Sequence, residues 1–133
     1  PKVIGELSEA AVIHHLIRAG YDLARPLGDN ARYDLLIEHG DRHLRVQVKT
    51  GRLHPTGVIQ FATCSSQAHR GHGKQSYRGQ CDLFAVYCPD RDQSYLMPVA
   101  AAGVTACRCS RSSPPSRARR ARGPAVRAAR RGR

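Results

Sequence analysis

The sequence predicts an α/β (α+β) domain in which an N-terminal helix packs on a mixed central sheet. Three observations carry that prediction. Leu7, Val12, Ile13, Leu16 and Ile17 recur at helical spacing. Two strand-like runs, Tyr33 to Glu38 and Leu44 to Lys49, flank the Gly-containing turn His39-Gly40-Asp41-Arg42. A nearly continuous apolar run, Asp82 to Cys88, has the composition of an interior strand. At 133 residues the chain suits one small domain with an appendage.

The elements follow in order. Residues 7–19 read as the helix, with Ser8 as N-cap or first-turn residue and Gly20 as the stop just past its end. Residues 21–25 read as a short strand ended by Pro26, and Leu27-Gly28-Asp29-Asn30 has loop chemistry. Residues 32–38 and 43–50 form a hairpin, which Thr50-Gly51-Arg52 breaks, and 57–63 is a further strand. Residues 65–80, with three Gly, two His, two Arg and one Lys, read as an irregular loop of the functional or disordered kind. After the 82–88 strand, Pro89-Asp90-Arg91-Asp92 is a turn and 94–99 pairs back.

Composition narrows the class. With no Trp, two Phe and five Tyr, the core is aliphatic. No apolar run approaches the roughly 20 residues of a membrane span, and no apolar stretch of a signal peptide follows Pro1-Lys2-Val3-Ile4-Gly5. A cytoplasmic, nucleoid-associated protein without a membrane partner is expected. Five Cys without a C-x-x-C favour reduced thiols over a zinc site, whose nearest support is Cys107-x-Cys109.

The net charge of +12 is unevenly spread. Residues 108–133 hold ten Arg and no acid, whereas residues 1–107 hold twelve Lys and Arg against ten Asp and Glu, a net +2. The charge therefore does not by itself argue that the body binds nucleic acid. Residues 108–133 have one Val as their only large aliphatic side chain. They are expected to form a disordered basic C-terminal tail, because they bury too little apolar surface to offset chain entropy. Two readings of that segment stand: a tail that binds nucleic acid nonspecifically, or GC-rich DNA read out of frame. The second is favoured.

The chemistry-bearing residues lie in the body. Glu9 shares a helix face with Val12, Ile13 and Leu16. An acid in a first turn also favours the helix dipole, but Glu6 serves that purpose without facing inward. Asp34 stands at the start of a strand, where Asp is disfavoured unless it bonds backbone. Gln47 and Lys49 share the strand face opposite Val46 and Val48, which also fits a plain amphipathic strand. Together they suit phosphodiester hydrolysis. Carboxylates and an amide oxygen hold a hard divalent cation, the cation activates water, and a Lys stabilises charge developing on the phosphate.

Gly5-x-x-x-Glu9, the approach Pro26 to Asp34, and Arg45-Val46-Gln47-Val48-Lys49-Thr50-Gly51 resemble the PD-(D/E)xK nuclease superfamily. The resemblance is to the branch of group I intron-type homing endonucleases and their bacterial relatives, in which Gln takes the place of the second acid. It continues through Tyr77-x-Gly79-x-x-Asp82-x-Phe84-Ala85-Val86-Tyr87 to Pro98-Val99, covering about residues 4–106. It implies a restriction-endonuclease-like core over residues 1–107 and a double-stranded DNA substrate. It also implies Mg²⁺ (or Mn²⁺) as cofactor, Glu9, Asp34, Gln47 and Lys49 as catalytic positions, and Glu9, Asp34 and Gln47 as metal ligands.

Arg32, Arg52, Arg70, Lys74 and Arg78 are candidate phosphate contacts, each also readable as solvated charge. His69 and His72 fall in the same polar stretch. Cutting both strands requires two active sites, which a homodimer or homotetramer would supply. Two alternatives stand beside the endonuclease: a DNA-binding module of the same fold with weak or lost hydrolysis, and a resolvase specific for four-way junctions.

Overall fold

The computed structural model describes residues 2–66, 74–103 and 106–109. The helix α1 spans Lys2–Arg18. It begins earlier than the apolar stripe predicts, because Val3, Ile4 and Leu7 extend it while remaining exposed. Burial periodicity cannot reveal a turn that buries nothing. Its inward stripe is Ser8, Val12 and Leu16, each four residues from the next. Ser8 is thus a buried interior residue and not a cap. Leu7 and Ile17, expected on the buried face, are 62% and 59% exposed. The helix ends as Gly20 predicts. Gly20 adopts φ 88°, its N–H donates to the Ile17 carbonyl at 2.9 Å, and the Tyr21 N–H donates to the Leu16 carbonyl at 3.1 Å.

The strands among the described residues are β1 (Asp22–Ala24), β2 (Leu35–His39), β3 (Arg42–Thr50), β4 (Arg52–Leu53), β5 (Ile59–Ala62), β6 (Cys64–Ser66), β7 (Lys74–Ser76), β8 (Leu83–Cys88), β9 (Gln93–Pro98) and β10 (Ala106–Cys109). A five-stranded sheet runs in the order β1-β2-β3-β8-β9. All its neighbours are antiparallel except β3 and β8, which are parallel. Parallel neighbours need a long crossover, and the chain from β4 to β7 provides it. Within it β6 and β7 form a two-stranded sheet, while β4 and β5 join β10, from beyond β9, in a three-stranded one ordered β10-β5-β4. A single 3₁₀ turn, Val99–Ala101, follows β9.

The central sheet is covered on both faces. Helix α1 packs on one through Val12 and Leu16, against Leu35, Ile37, Val46 and Ala85. On the other lie Phe84, Val86 and Cys88 with Ile59, Phe61, Tyr77 and Tyr95. β8 alternates between these two cores, which explains why it reads as continuously apolar. Each fully buried Val, Leu or Phe contributes on the order of 1.5–3 kcal/mol. Asp82 stitches the parallel pair: its Oδ2 accepts the Arg45 N–H at 2.8 Å and Arg45 Nε at 3.3 Å.

The stretch expected to be irregular, 65–80, contains β6 and β7, paired with Cys64 opposite Ser76. Its polar composition hides this pairing, which rests on backbone hydrogen bonds. β10 pairs with β5 from Ala106 to Cys109, so the sheet runs across the division at 107 that composition suggests. The rest of the expected tail lies outside the described residues, as do His69, Arg70 and His72. No helix among the described residues is long and apolar enough to cross a membrane.

Gly51 is closely packed on the Phe84 side of the sheet, against Ile59 and Val86. Its N–H donates to the Tyr87 carbonyl at 2.7 Å. A Cβ there would stand 2.5 Å from Ile59 Cγ2 and 2.8 Å from Val86 Cγ1. Gly51→Ala is therefore expected to destabilise the domain by about 1–3 kcal/mol through overpacking, read as a lower urea midpoint at unchanged slope.

Candidate active site

The site forms where β2 starts and β3 runs on beyond it. Leu35 pairs with Val46, and the Asp34 N–H donates to the Val46 carbonyl at 2.8 Å. The antiparallel register therefore sets Asp34 opposite Gln47, on the same face. Asp34 Oδ2 accepts Gln47 Nε2 at 2.7 Å and the Val48 N–H at 2.8 Å. Because the carboxylate takes the amide nitrogen, the Gln47 carbonyl oxygen is turned away from it and keeps its lone pairs. Lys49 is two residues further along and so shares the face.

Glu9 arrives from α1. The bond from Ser8 Oγ to Thr50 Oγ1, 2.6 Å long, fastens the helix to the end of β3 and fixes the height at which Glu9 is presented. Glu9, Asp34, Gln47 and Lys49 line one open cleft of 290 Å³, bordered also by Lys2 and Glu6. Glu9 is 24% exposed and forms an ion pair with Arg25, which is 64% exposed.

Burial pushes the Asp34 carboxyl above its ordinary range, against the opposing pull of the Val48 N–H and the charges of Lys49 and Arg25. Arg25 therefore faces both carboxylates. Sequence reasoning missed it, since a lone Arg before Pro26 carries no signal. Tyr77 also borders the site, although its sequence position gives no sign of it. The Tyr77 ring is in the core, but Lys49 Nζ lies 4.5 Å from its centroid and 3.4 Å from its hydroxyl.

Among the described residues no three His, Cys, Asp or Glu side chains come together to hold a metal. A cation here would rest on two carboxylates, Glu9 and Asp34, and the free amide oxygen of Gln47. All three are hard oxygen donors in one cleft, and that set fits Mg²⁺ or Mn²⁺.

The candidate DNA contacts are placed differently from one another. Arg32 is committed within the protein: Nε to Gln80 Oε1 at 2.6 Å, Nη1 to Ser65 Oγ at 2.9 Å and Nη2 to the Ser76 carbonyl at 3.3 Å. Three of its five N–H groups are thus engaged within the protein. Arg78 Nη2 donates to the Ala102 carbonyl at 3.1 Å, while Arg52 is exposed on β4. Lys74 starts β7, with its side chain outside the described residues. Cys64, Cys81 and Cys88 are free thiols. Burial pushes Cys81 up to about 11, so it stays protonated and inert. The side chains of Cys107 and Cys109 lie outside the described residues.

The raised Asp34 pKa has a consequence for stability. A carboxyl raised on folding favours the protonated native state. Its contribution is therefore largest below the unfolded pKa and is lost as pH rises through the folded one. Asp34→Asn keeps an oxygen for both hydrogen bonds and removes the desolvated charge. It should raise the thermal midpoint at pH 7 in chelator, and the gain should vanish on acidification below the carboxylate range; an unchanged or lower midpoint at pH 7 contradicts the assignment.

Comparison with known proteins places the chain by family and by fold. A family model described as PD-(D/E)XK endonuclease matches residues 1–122. Among solved structures, a bacterial homing endonuclease, I-Ssp6803I, shares the fold with a TM-score of 0.67. It is 24% identical, over 93% of this chain and 84% of that one. No curated protein matches. A helix laid on a mixed five-stranded sheet is thus a fold this chain shares with a homing endonuclease, and the chain belongs to the PD-(D/E)XK endonuclease family.

Proposed function

We propose that the protein is a divalent-metal-dependent endonuclease that hydrolyses phosphodiester bonds of double-stranded DNA in the cleft between α1 and β3. One observation carries this reading: Asp34, Gln47 and Lys49 share a strand face and line the same cleft as Glu9. Glu9, Asp34 and the Gln47 carbonyl would hold Mg²⁺ or Mn²⁺. The ion would polarise the phosphate and lower the pKa of a bound water.

The rest of the chemistry belongs to the chain's own groups. The Val48 N–H and the Gln47 amide hold the Asp34 carboxylate in one orientation before any ligand arrives. The Lys49 ammonium places positive charge where the phosphate oxygens gain negative charge in the transition state. Arg25 balances the two carboxylates until they are otherwise engaged. One chain carries one such cleft, so cutting both strands would call for a dimer or tetramer.

The test is cleavage of supercoiled plasmid by the full chain. Nicking or linearisation should require Mg²⁺ or Mn²⁺ and stop with EDTA. Asp34→Ala and Lys49→Ala should each slow it by about a hundredfold or more. Metal-independent cutting, or cutting that survives both substitutions, overturns the proposal.

One observation favours the alternative of a DNA-binding module with weak hydrolysis. Gln47 is neutral where a third acid would add charge, and Glu9 already has a cationic partner. That reading predicts a gel shift on DNA without cutting in either metal.

The Arg25 ion pair gives a separate prediction. A cation entering the cleft must compete with the guanidinium for Glu9. Arg25→Ala should therefore tighten Mn²⁺ binding by about two- to fivefold, the scale of an exposed ion pair, as read by calorimetric titration of the DNA-free protein. Weaker binding would instead make Arg25 a support for Glu9.

A further inference from the structure

We infer that Tyr77 is the positioning residue for the Lys49 ammonium, and that Arg32 locks the Tyr77 ring and the β6-β7 pair in place for that task. The inference rests on the proposed role of Lys49 and extends it to residues outside the cleft's polar set.

The ring is immobilised on the core side. Tyr77 is 6% exposed and meets Phe84 edge to face, with centroids 5.9 Å apart. Phe84 in turn packs edge to face on Phe61 at 5.5 Å. The backbone is fixed as well, since the Tyr77 carbonyl accepts the Gln80 N–H at 3.0 Å and the Cys81 N–H at 3.1 Å. A ring held in this way cannot turn to follow a moving lysine.

Lys49 uses that fixed surface. Its Nζ lies 4.5 Å from the ring centroid and 3.4 Å from the phenol oxygen. No ion pair to Lys49 occurs among the described residues. The distinction matters for chemistry. A lysine has many rotamers to lose, so a reactive one needs a restraint. A carboxylate partner would restrain it and cancel its charge. An aromatic face attracts the ammonium through its quadrupole and leaves the full positive charge available to a phosphate.

Arg32 completes the device. Its Cζ lies 4.4 Å from the same ring centroid. Its three nitrogens bind Gln80, Ser65 and the Ser76 carbonyl, which lie in the turn after Tyr77, in β6 and at the end of β7. It therefore clamps the segment that carries Tyr77. This gives Arg32 a structural duty in place of the phosphate contact expected from its charge.

The test uses the full chain in four forms: wild type, Tyr77→Phe, Tyr77→Leu and Lys49→Ala. Protons stacked over an aromatic ring shift upfield, so the Lys49 side-chain protons should be upfield in wild type and Tyr77→Phe and lose that shift in Tyr77→Leu. Tyr77→Phe should cut within about threefold of wild type, as expected where the ring and not the hydroxyl carries the restraint. Tyr77→Leu should cut about ten- to a hundredfold more slowly at saturating DNA, with DNA affinity unchanged, as expected of a displaced catalytic group. Absence of the upfield shift in wild type overturns the inference, and needs no variant to fold. So does wild-type cutting by Tyr77→Leu when Lys49→Ala is inactive. Normal cutting by Lys49→Ala instead overturns the proposed role of the lysine, and the inference with it.

Discussion

The register of the β2-β3 hairpin is the constraint on which the site depends. With Leu35 opposite Val46, Asp34 falls opposite Gln47, and Val46 enters the core beneath α1. A slip of one residue would reverse both outcomes at once. It would expose Val46, bury Arg45 or Gln47, and point Asp34 away from the amide that holds it. Hydrophobic burial therefore guards the geometry of the candidate site: the energy that specifies the core also specifies which polar groups meet. The parallel pairing of β3 with β8 adds to this. It places the site strand in the interior of the sheet, where both of its neighbours fix its pleat.

Charge is balanced inside the cleft with little margin. Three carboxylates, Glu6, Glu9 and Asp34, meet three cations, Lys2, Lys49 and Arg25, and among these described residues only Glu9 and Arg25 form an ion pair. Asp34 is held by hydrogen bonds from a neutral amide and a backbone N–H. This leaves it desolvated and raised in pKa. By contrast, burial also pushes Asp82 up, but the Arg45 hydrogen bonds and the charges of Arg45 and Arg42 outweigh it and hold that carboxyl below its ordinary range. The two acids mark a division of labour. Asp82, satisfied by Arg45, joins β3 to β8. Asp34, only partly satisfied, remains open to a cation. A site built for stability alone would resemble the first.

Much of this was legible in the sequence because it is local. The hairpin announced itself by period-two alternation around Gly40, and Glu9 by its helical offset from Val12 and Leu16. The interior strand was visible in Phe84-Ala85-Val86. Other features were hidden because they depend on partners distant in sequence. Nothing near Arg25 shows that its guanidinium meets Glu9. Nothing near Tyr77 shows that Lys49 and Arg32 converge on one ring from 28 and 45 positions away. The first turns of α1 were hidden for the opposite reason, as Val3, Ile4 and Leu7 are apolar without being buried. Arg32 shows the limit of reading charge alone: its hydrogen bonds to Gln80, Ser65 and Ser76 depend on partners distant in sequence.

Gln47 is the residue whose chemistry ties these strands of argument together. A glutamate there would stand against Asp34 at hydrogen-bond distance. Two carboxylates that close cannot both ionise without a counter-ion. One would take up a proton, or the pair would separate and loosen the Val48 contact. An amide avoids the conflict, because it donates to Asp34 through one atom and offers a neutral oxygen through the other. The cost is one fewer negative ligand for a cation. The gain is an Asp34 carboxylate already held in one orientation. Lys49, restrained by an aromatic ring and not by an acid, follows the same logic, since its charge also remains available. Asp34 and Lys49 are therefore held by neutral partners, whereas Glu9 is held by the charge of Arg25.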